Sequence, residues 1–204
     1  MNLKRFLLLL LIVAILPIQS AFADFSDTNE RYEAAVNYVV SKEYASGFSD
    51  TQFGVSEEIK RIDAAVMIAR VNGYSPTDTF PNAGFTDVPV KRQWAVNALA
   101  ANGIMSGLNS TTFGSNQTMK RDQMAMVLAT TYDLSTTNME IPFTDVNSIT
   151  KPAIAALVDN NITSGTTATL FGSKDNIKRG DFAIFIYKAE MDLTTLPPEV
   201  ISVE

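Results

Sequence analysis

The chain of 204 residues contains neither cysteine nor histidine. Lack of cysteine rules out disulfides, thiolate metal sites and cysteine nucleophiles. Lack of histidine removes the usual general base near neutral pH and the commonest metal ligand. Any catalysis would rest on carboxylates or a Ser-Lys pair. Basic residues are also scarce, with 16 Lys and Arg against 22 Asp and Glu. Two of those cations, Lys4 and Arg5, precede the apolar run, and without them the net charge is about −8. Nucleic acid is therefore not expected as a partner, because phosphate binding shows as a basic face. Any anion site must be local.

Long apolar runs are scarce too. The one present, "FLLLLLIVAILPI" from Phe6, follows "MNLKR" and ends near "QSAFA" at Ala23. It is shorter than the roughly 20 residues that span a bilayer, and its flanks predict a secretory signal peptide over residues 1–23 with an A-x-A cleavage site. No membrane association is expected after cleavage.

What the sequence does have is repetition. A shift of 60 residues lays Phe25 on Phe85, and a further 58 lays Phe85 on Phe143, without a gap through the rest of each copy. Asp27, Asp87 and Asp145 follow two residues later. The pairs Ser46-Gly47, Ser106-Gly107 and Ser164-Gly165 coincide, as do Phe53-Gly54, Phe113-Gly114 and Phe171-Gly172. Each copy reads as helix, polar loop, helix. In the second copy Trp94, Ala98 and Ala101 form one stripe of the first helix at helical spacing, which stops near Gly103 or at the Ser-Gly pair. One such helix pair cannot bury its apolar face alone, whereas three stacked pairs can. The columns Phe53/Phe113/Phe171, Ile59/Met119/Ile177 and Ile68/Leu128/Ile186 are the expected core. The units run 24–80, 81–141 and 142–192, followed by a tail at 193–204 that is either a frayed end or a strut.

The second helices begin at "IKRID", "MKRDQ" and "IKRGD". A helix N-terminus carries partial positive charge and unpaired N–H groups, so three Lys-Arg pairs there are unexpected. Without a hydroxyl cap each helix would be weaker by about 0.5–2 kcal/mol. Such a cost, repeated three times, suggests an offset: an anion pocket built from the pair and the helix-end N–H groups. Arg61, Arg121 and Arg179 would grip a carboxylate through two hydrogen bonds, and Lys60, Lys120 and Lys178 would add mobile charge. Asp63 and Asp181 would orient the cations or bond the helix end. The alternative is that each arginine pins one unit to the next. Asp27, Asp87 and Asp145 are expected to cap the first helices; they lack the pattern of a calcium loop, and no metal or cofactor is expected. Gly47, Gly107 and Gly165 would end helices, or let a sugar approach closely. Trp94 is a packing residue or a sugar-stacking platform.

These motifs resemble the S-layer homology domain: Phe-[Ser/Thr]-Asp-Val, a Trp-Ala helix, Ile-[Ile/Val]-Ser-Gly, a loop ending in Thr-Phe, and Ile-Thr-Arg-Ala-Glu-Phe-Ala. The second copy has "FTDV" at Phe85, "WA" at Trp94, "GIMSG" at Gly103, "TTFG" at Thr111 and "MKRDQMA" at Met119. The resemblance implies an all-α fold, a pseudo-threefold body whose first helices form a central three-helix bundle. It also implies noncovalent binding, in grooves between motifs, to an anionic and often pyruvylated polysaccharide attached to the peptidoglycan of Gram-positive bacteria. The family's groove arginine falls on Arg61, Arg121 and Arg179. The family's Thr is Lys here, and its Glu is Asp63, Gln123 and Asp181. Two other readings stand beside this one. One is a surface-layer scaffold or protein-binding module without glycan affinity. The other is a carboxylate-based hydrolase, which needs two acids about 5–10 Å apart, whereas the acid at the second helix is Gln123 in one copy. A protein partner is not specified by the sequence.

Overall fold

The computed structural model of the chain describes residues 25–191; the expected leader and tail fall outside them. Six α-helices follow in order: α1 (Glu30–Ser41), α2 (Arg61–Val71), α3 (Gln93–Ala101), α4 (Arg121–Thr131), α5 (Lys151–Asp159) and α6 (Arg179–Glu190). A 3-10 turn at Val90–Arg92 leads into α3. The described residues form no β-sheet and only isolated bridges, so the fold is all-α. None of their helices is long and apolar enough to cross a membrane.

The first helix of each unit ends alike. Glu43, Gly103 and Asn161 occupy equivalent places with φ of 59°, 68° and 56°, the left-handed geometry that closes a helix C-terminus. The Ser-Gly glycines lie further on and do not end the helices. An added Cβ on Gly47, Gly107 or Gly165 would fall 2.3–2.4 Å from a ring carbon of Phe25, Phe85 or Phe143. The glycine column therefore lets the Phe of each Phe-x-Asp turn approach the loop closely. Each of these rings also packs on the loop Phe of its own unit, with centroids 5.6–5.8 Å apart.

The three aspartates do not cap the first helices as expected. Asn29 caps α1 by accepting from Arg31 N–H. The aspartates instead clamp the loops: Asp87 Oδ1 accepts from Phe113 N–H at 2.7 Å, and Oδ2 accepts from Gly114 and Ser115 N–H at 2.8 Å each. Asp27 and Asp145 repeat this with Phe53–Gly54–Val55 and Phe171–Gly172–Ser173. Burial opposes ionisation of all three carboxyls, but the backbone N–H donors outweigh it and hold each pKa below the ordinary carboxylate value.

The units close into a ring. α2 packs on α3, α4 on α5, and α6 returns to α1. Ile59 N–H donates to Ile177 C=O, Ile177 N–H to Met119 C=O, and Met119 N–H to Ile59 C=O, at 2.9–3.0 Å. This three-membered cycle fixes a pseudo-threefold axis. The helices starting from it, α2, α4 and α6, bury residues on nearly every side, whereas α1, α3 and α5 bury one stripe each. A helix buried all round is an inner helix. The second helices thus form the inner layer, where the family resemblance had implied the first. At the far end the Glu190 carboxylate accepts from the hydroxyls of Tyr38, Tyr44 and Tyr132, tying α6 to α1, its following loop and the end of α4. The expected core columns are buried throughout: Phe53, Phe113 and Phe171 are fully enclosed, as are Ile68, Leu128 and Ile186.

Candidate functional site

The Lys-Arg pairs resolve through the ring. Arg61 and Ile62 N–H donate to Gln117 and Ser115 C=O of the second unit. Arg121 and Asp122 N–H use Asp175 and Ser173 C=O of the third, and Arg179 and Gly180 N–H use Glu57 and Val55 C=O of the first. Backbone carbonyls of the neighbouring unit therefore do the work of a cap side chain. The first two N–H groups of each second helix are thus met without a threonine hydroxyl and are not free to hold an anion. Gln123 alone keeps half a capping box, its Oε1 accepting from Lys120 N–H.

The arginine side chains follow the same rotation. Arg61 Nε donates to Phe113 C=O at 3.1 Å and Nη2 to Ser106 C=O at 3.0 Å. Arg179 does likewise with Phe53 C=O (3.1 Å) and Ser46 C=O (2.8 Å). Each guanidinium lies over an aromatic face, Arg61 on Phe113, Arg121 on Phe171 and Phe185, Arg179 on Phe48 and Phe53, at 4.7–5.0 Å. All three residues are 6 % exposed, so burial lowers each pKa from its ordinary arginine value. Arg121 departs from the pattern. Its Nη2 donates to the Thr163 hydroxyl oxygen, and its buried Nε has no hydrogen-bond partner.

Two of these arginines, Arg179 and Arg121, line grooves between units, and Arg61 holds the equivalent place in the repeat. The groove of Arg179 runs between the first unit's loop, α2 and the start of α3, and opens as a cleft of about 440 Å³. It brings together four of the residues singled out in the sequence, Arg179, Asp63, Gly47 and Trp94. It also gathers Arg70, Lys91 and Arg92, which do not recur at the matching positions of both other copies. Asp63 pairs with Arg92 at 3.3 Å, and Phe48, 60 % exposed, covers Arg179 at the mouth. Arg179 Nη1 has no hydrogen bond among the described residues, so a donor remains at the cleft floor.

The groove of Arg121 is nearly shut. Asp181 pairs with Arg31 at 2.9 Å, Phe185 and Ile184 line it, and about 10 Å³ remains, enough for one water molecule at most. The lysines stand apart from these linings. Lys120 Nζ donates to Asn176 Oδ1 at 2.6 Å on the axial cycle, and Lys60 and Lys178 are exposed.

This geometry, repeated with one arrangement of Phe, Asp, Gly and Arg, agrees with the comparison to known proteins. The S-layer homology domain matches at residues 24–65, 84–125 and 142–183. The chain belongs to the S-layer homology domain family. It carries three tandem S-layer homology motifs, and related proteins share nearly its whole length. An S-layer protein of Bacillus thuringiensis subsp. finitimus is 28% identical over 198 residues, 92% of this chain and 23% of that protein. The surface-layer 125 kDa protein of Lysinibacillus sphaericus is 25% identical over 202 residues, 94% of this chain and 17% of that protein. The chain therefore spans about a fifth of the length of these relatives.

Proposed function

We propose that this chain is a noncovalent attachment module of the Gram-positive cell surface, binding an anionic, pyruvate-bearing secondary wall polysaccharide in a groove between its motifs. The observation that carries this is the 440 Å³ cleft in which Arg70, Lys91, Arg92 and Arg179 converge on a protein that is acidic overall. A cation-rich recess in an acidic surface attracts an anionic polymer locally without general affinity for polyanions. Trp94, Tyr44 and Phe48 give it apolar faces on which pyranose rings can lie, and Arg179 lines it with one guanidinium nitrogen that makes no hydrogen bond among the described residues. Asp63 holds Arg92 in place. The cleft is lined by a single carboxylate, Asp63, already paired, which favours binding over hydrolysis by two acids.

Co-sedimentation with purified Gram-positive sacculi tests this reading. Binding should fall sharply after acid extraction of the secondary polysaccharide and should be competed by the released polymer. Equal binding to extracted and intact sacculi would refute it and direct the search to peptidoglycan or a protein partner.

A further inference from the structure

The three grooves share a frame but not a chemistry. In the groove of Arg179, the side chains around the floor arginine include Arg70, Lys91, Arg92 and Trp94. One unit on, in the groove of Arg61, the same positions hold Thr130, Ile149, Thr150 and Pro152. Ile149 is 79 % exposed, and Met126 is exposed beside it. The α4–α5 cleft lined by Met126, Thr130, Ile149 and Pro152, about 540 Å³, contains no Lys or Arg, not even Arg61, and its one charged lining residue is Asp133. In the third groove the positions hold Lys188, Arg31 and Tyr32, but Phe185, Ile184 and the Arg31–Asp181 pair leave about 10 Å³.

We propose that the chain binds its wall polymer at one groove only, that between α2 and α3, and that Arg70 and Lys91 are the residues that distinguish it. The inference rests on the wall-polysaccharide reading and adds the stoichiometry and the specificity residues. The repeated arginines cannot make the distinction, because all three are equally buried and similarly stacked. Arg70 and Lys91 can, because their counterparts differ: Arg70 matches Thr130 and the buried Lys188, and Lys91 matches Ile149 and Arg31, which is paired with Asp181 in the nearly closed third groove.

Arg70 also has capacity to spare. Among the described residues it makes no ion pair, and its one hydrogen bond, to Tyr44 C=O, is long at 3.5 Å. It stands where the cleft continues into a second recess of about 560 Å³ that includes Lys42, Tyr74 and Pro76. The two recesses share Ala45, Ser46, Arg70 and Pro76. A polymer carrying carboxylate or phosphate groups could thus run from Arg179 past Arg70 toward Lys42, with Tyr74 beside the next sugar. Coulomb attraction from Lys91 and Arg70 adds to that of Arg179 only in this groove.

The test is isothermal titration calorimetry of the purified chain with short, size-fractionated polysaccharide released by acid from Lysinibacillus sphaericus sacculi. One fragment should bind per chain. Arg70→Ala and Lys91→Ala should each weaken binding about tenfold, the loss expected for one charge-assisted contact, with unchanged circular dichroism. The matched variants Thr130→Ala and Ile149→Ala should bind as the parent does. Two or three fragments per chain, parental affinity in both cation variants, or loss of binding in either matched variant would overturn the one-groove inference while leaving wall binding intact. Failure of the parent chain to bind any fraction would overturn the wall-polysaccharide reading itself, and the inference with it.

Discussion

Replacing Asp87 probes the feature that sets each motif's loop. Its two oxygens accept three backbone N–H groups at 2.7–2.8 Å. In Asp87→Asn the single remaining oxygen can serve the Gly114 and Ser115 donors, but the amide NH₂ then opposes Phe113 N–H. One orphaned, part-buried donor costs about 1–3 kcal/mol, so a loss of about 2 kcal/mol is expected. In Asp87→Ala all three donors lose their acceptor; water can reach a half-buried site, and a loss of about 4 kcal/mol follows. Against a typical total of about 5–15 kcal/mol, the alanine variant should melt on the order of 10 °C lower. Urea unfolding followed by the fluorescence of Trp94, the one tryptophan, would measure both losses. The pH dependence gives a second check. The folded pKa of Asp87 lies below its ordinary 3.8, so the clamp's contribution is complete above the unfolded value and is lost as pH falls through the folded one. The gap between parent and Asp87→Asn should therefore be wide at pH 7 and shrink below about pH 4. A gap under about 0.5 kcal/mol at pH 7, or one that widens in acid, would refute the clamp.

Two further substitutions test other parts of the frame. Gly107→Ala would place a methyl 2.3 Å from Phe85 Cε1 and 2.6 Å from Asn109 O; the overpacking should cost about 1–3 kcal/mol in thermal unfolding, and an unchanged melting temperature would show that the ring moves aside freely. Lys188 is 5 % exposed, makes no ion pair among the described residues, and has its pKa lowered by burial and by the nearby Arg121 and Arg31. Lys188→Met should raise stability at pH 7 by on the order of 1 kcal/mol. In the parent, stability should rise as pH climbs from the lowered folded pKa toward the unfolded one, because there the unfolded chain binds more protons; a flat profile in both proteins would refute the burial cost.

What the sequence disclosed was whatever recurs. The period placed six helices and the buried Phe53, Phe113 and Phe171 columns, because burial imposes the same residue type on every copy. It did not disclose partners. Asp27, Asp87 and Asp145 stand just before the first helices, where an aspartate is a common cap, and only the path of the Phe-Gly loop turns three N–H groups toward them instead. Likewise Lys60, Lys120 and Lys178 looked like failed caps because the carbonyls that replace a cap come from another unit. The same bias hid half of the candidate groove. Arg70, Lys91 and Arg92 differ from their counterparts in the other copies, so a search for repetition discards them. Yet a site that distinguishes one groove from two others must be built from such positions.

Ring closure also changes what the repeats mean for stability. In an open array of three units, each contacts only its neighbours, and removal of an end unit deletes one of two interfaces. Here the third unit touches both others, so its removal deletes two of three. Arg121 and Asp122 N–H would lose Asp175 and Ser173 C=O, Val55 and Glu57 C=O would lose their donors, and Arg121 would lose Phe171. α1 would be stripped of α6 along its buried stripe of Tyr32, Ala35, Val36 and Val39. Each buried group left unpaired costs about 1–3 kcal/mol, and several together exceed the margin of an ordinary domain. A fragment ending at residue 141 should therefore show no cooperative melt by circular dichroism, while the whole chain unfolds in one transition. A fragment that melts cooperatively near the temperature of the whole chain would mean that the stabilisation lies within each motif, with the cycle through Ile59, Met119 and Ile177 adding little.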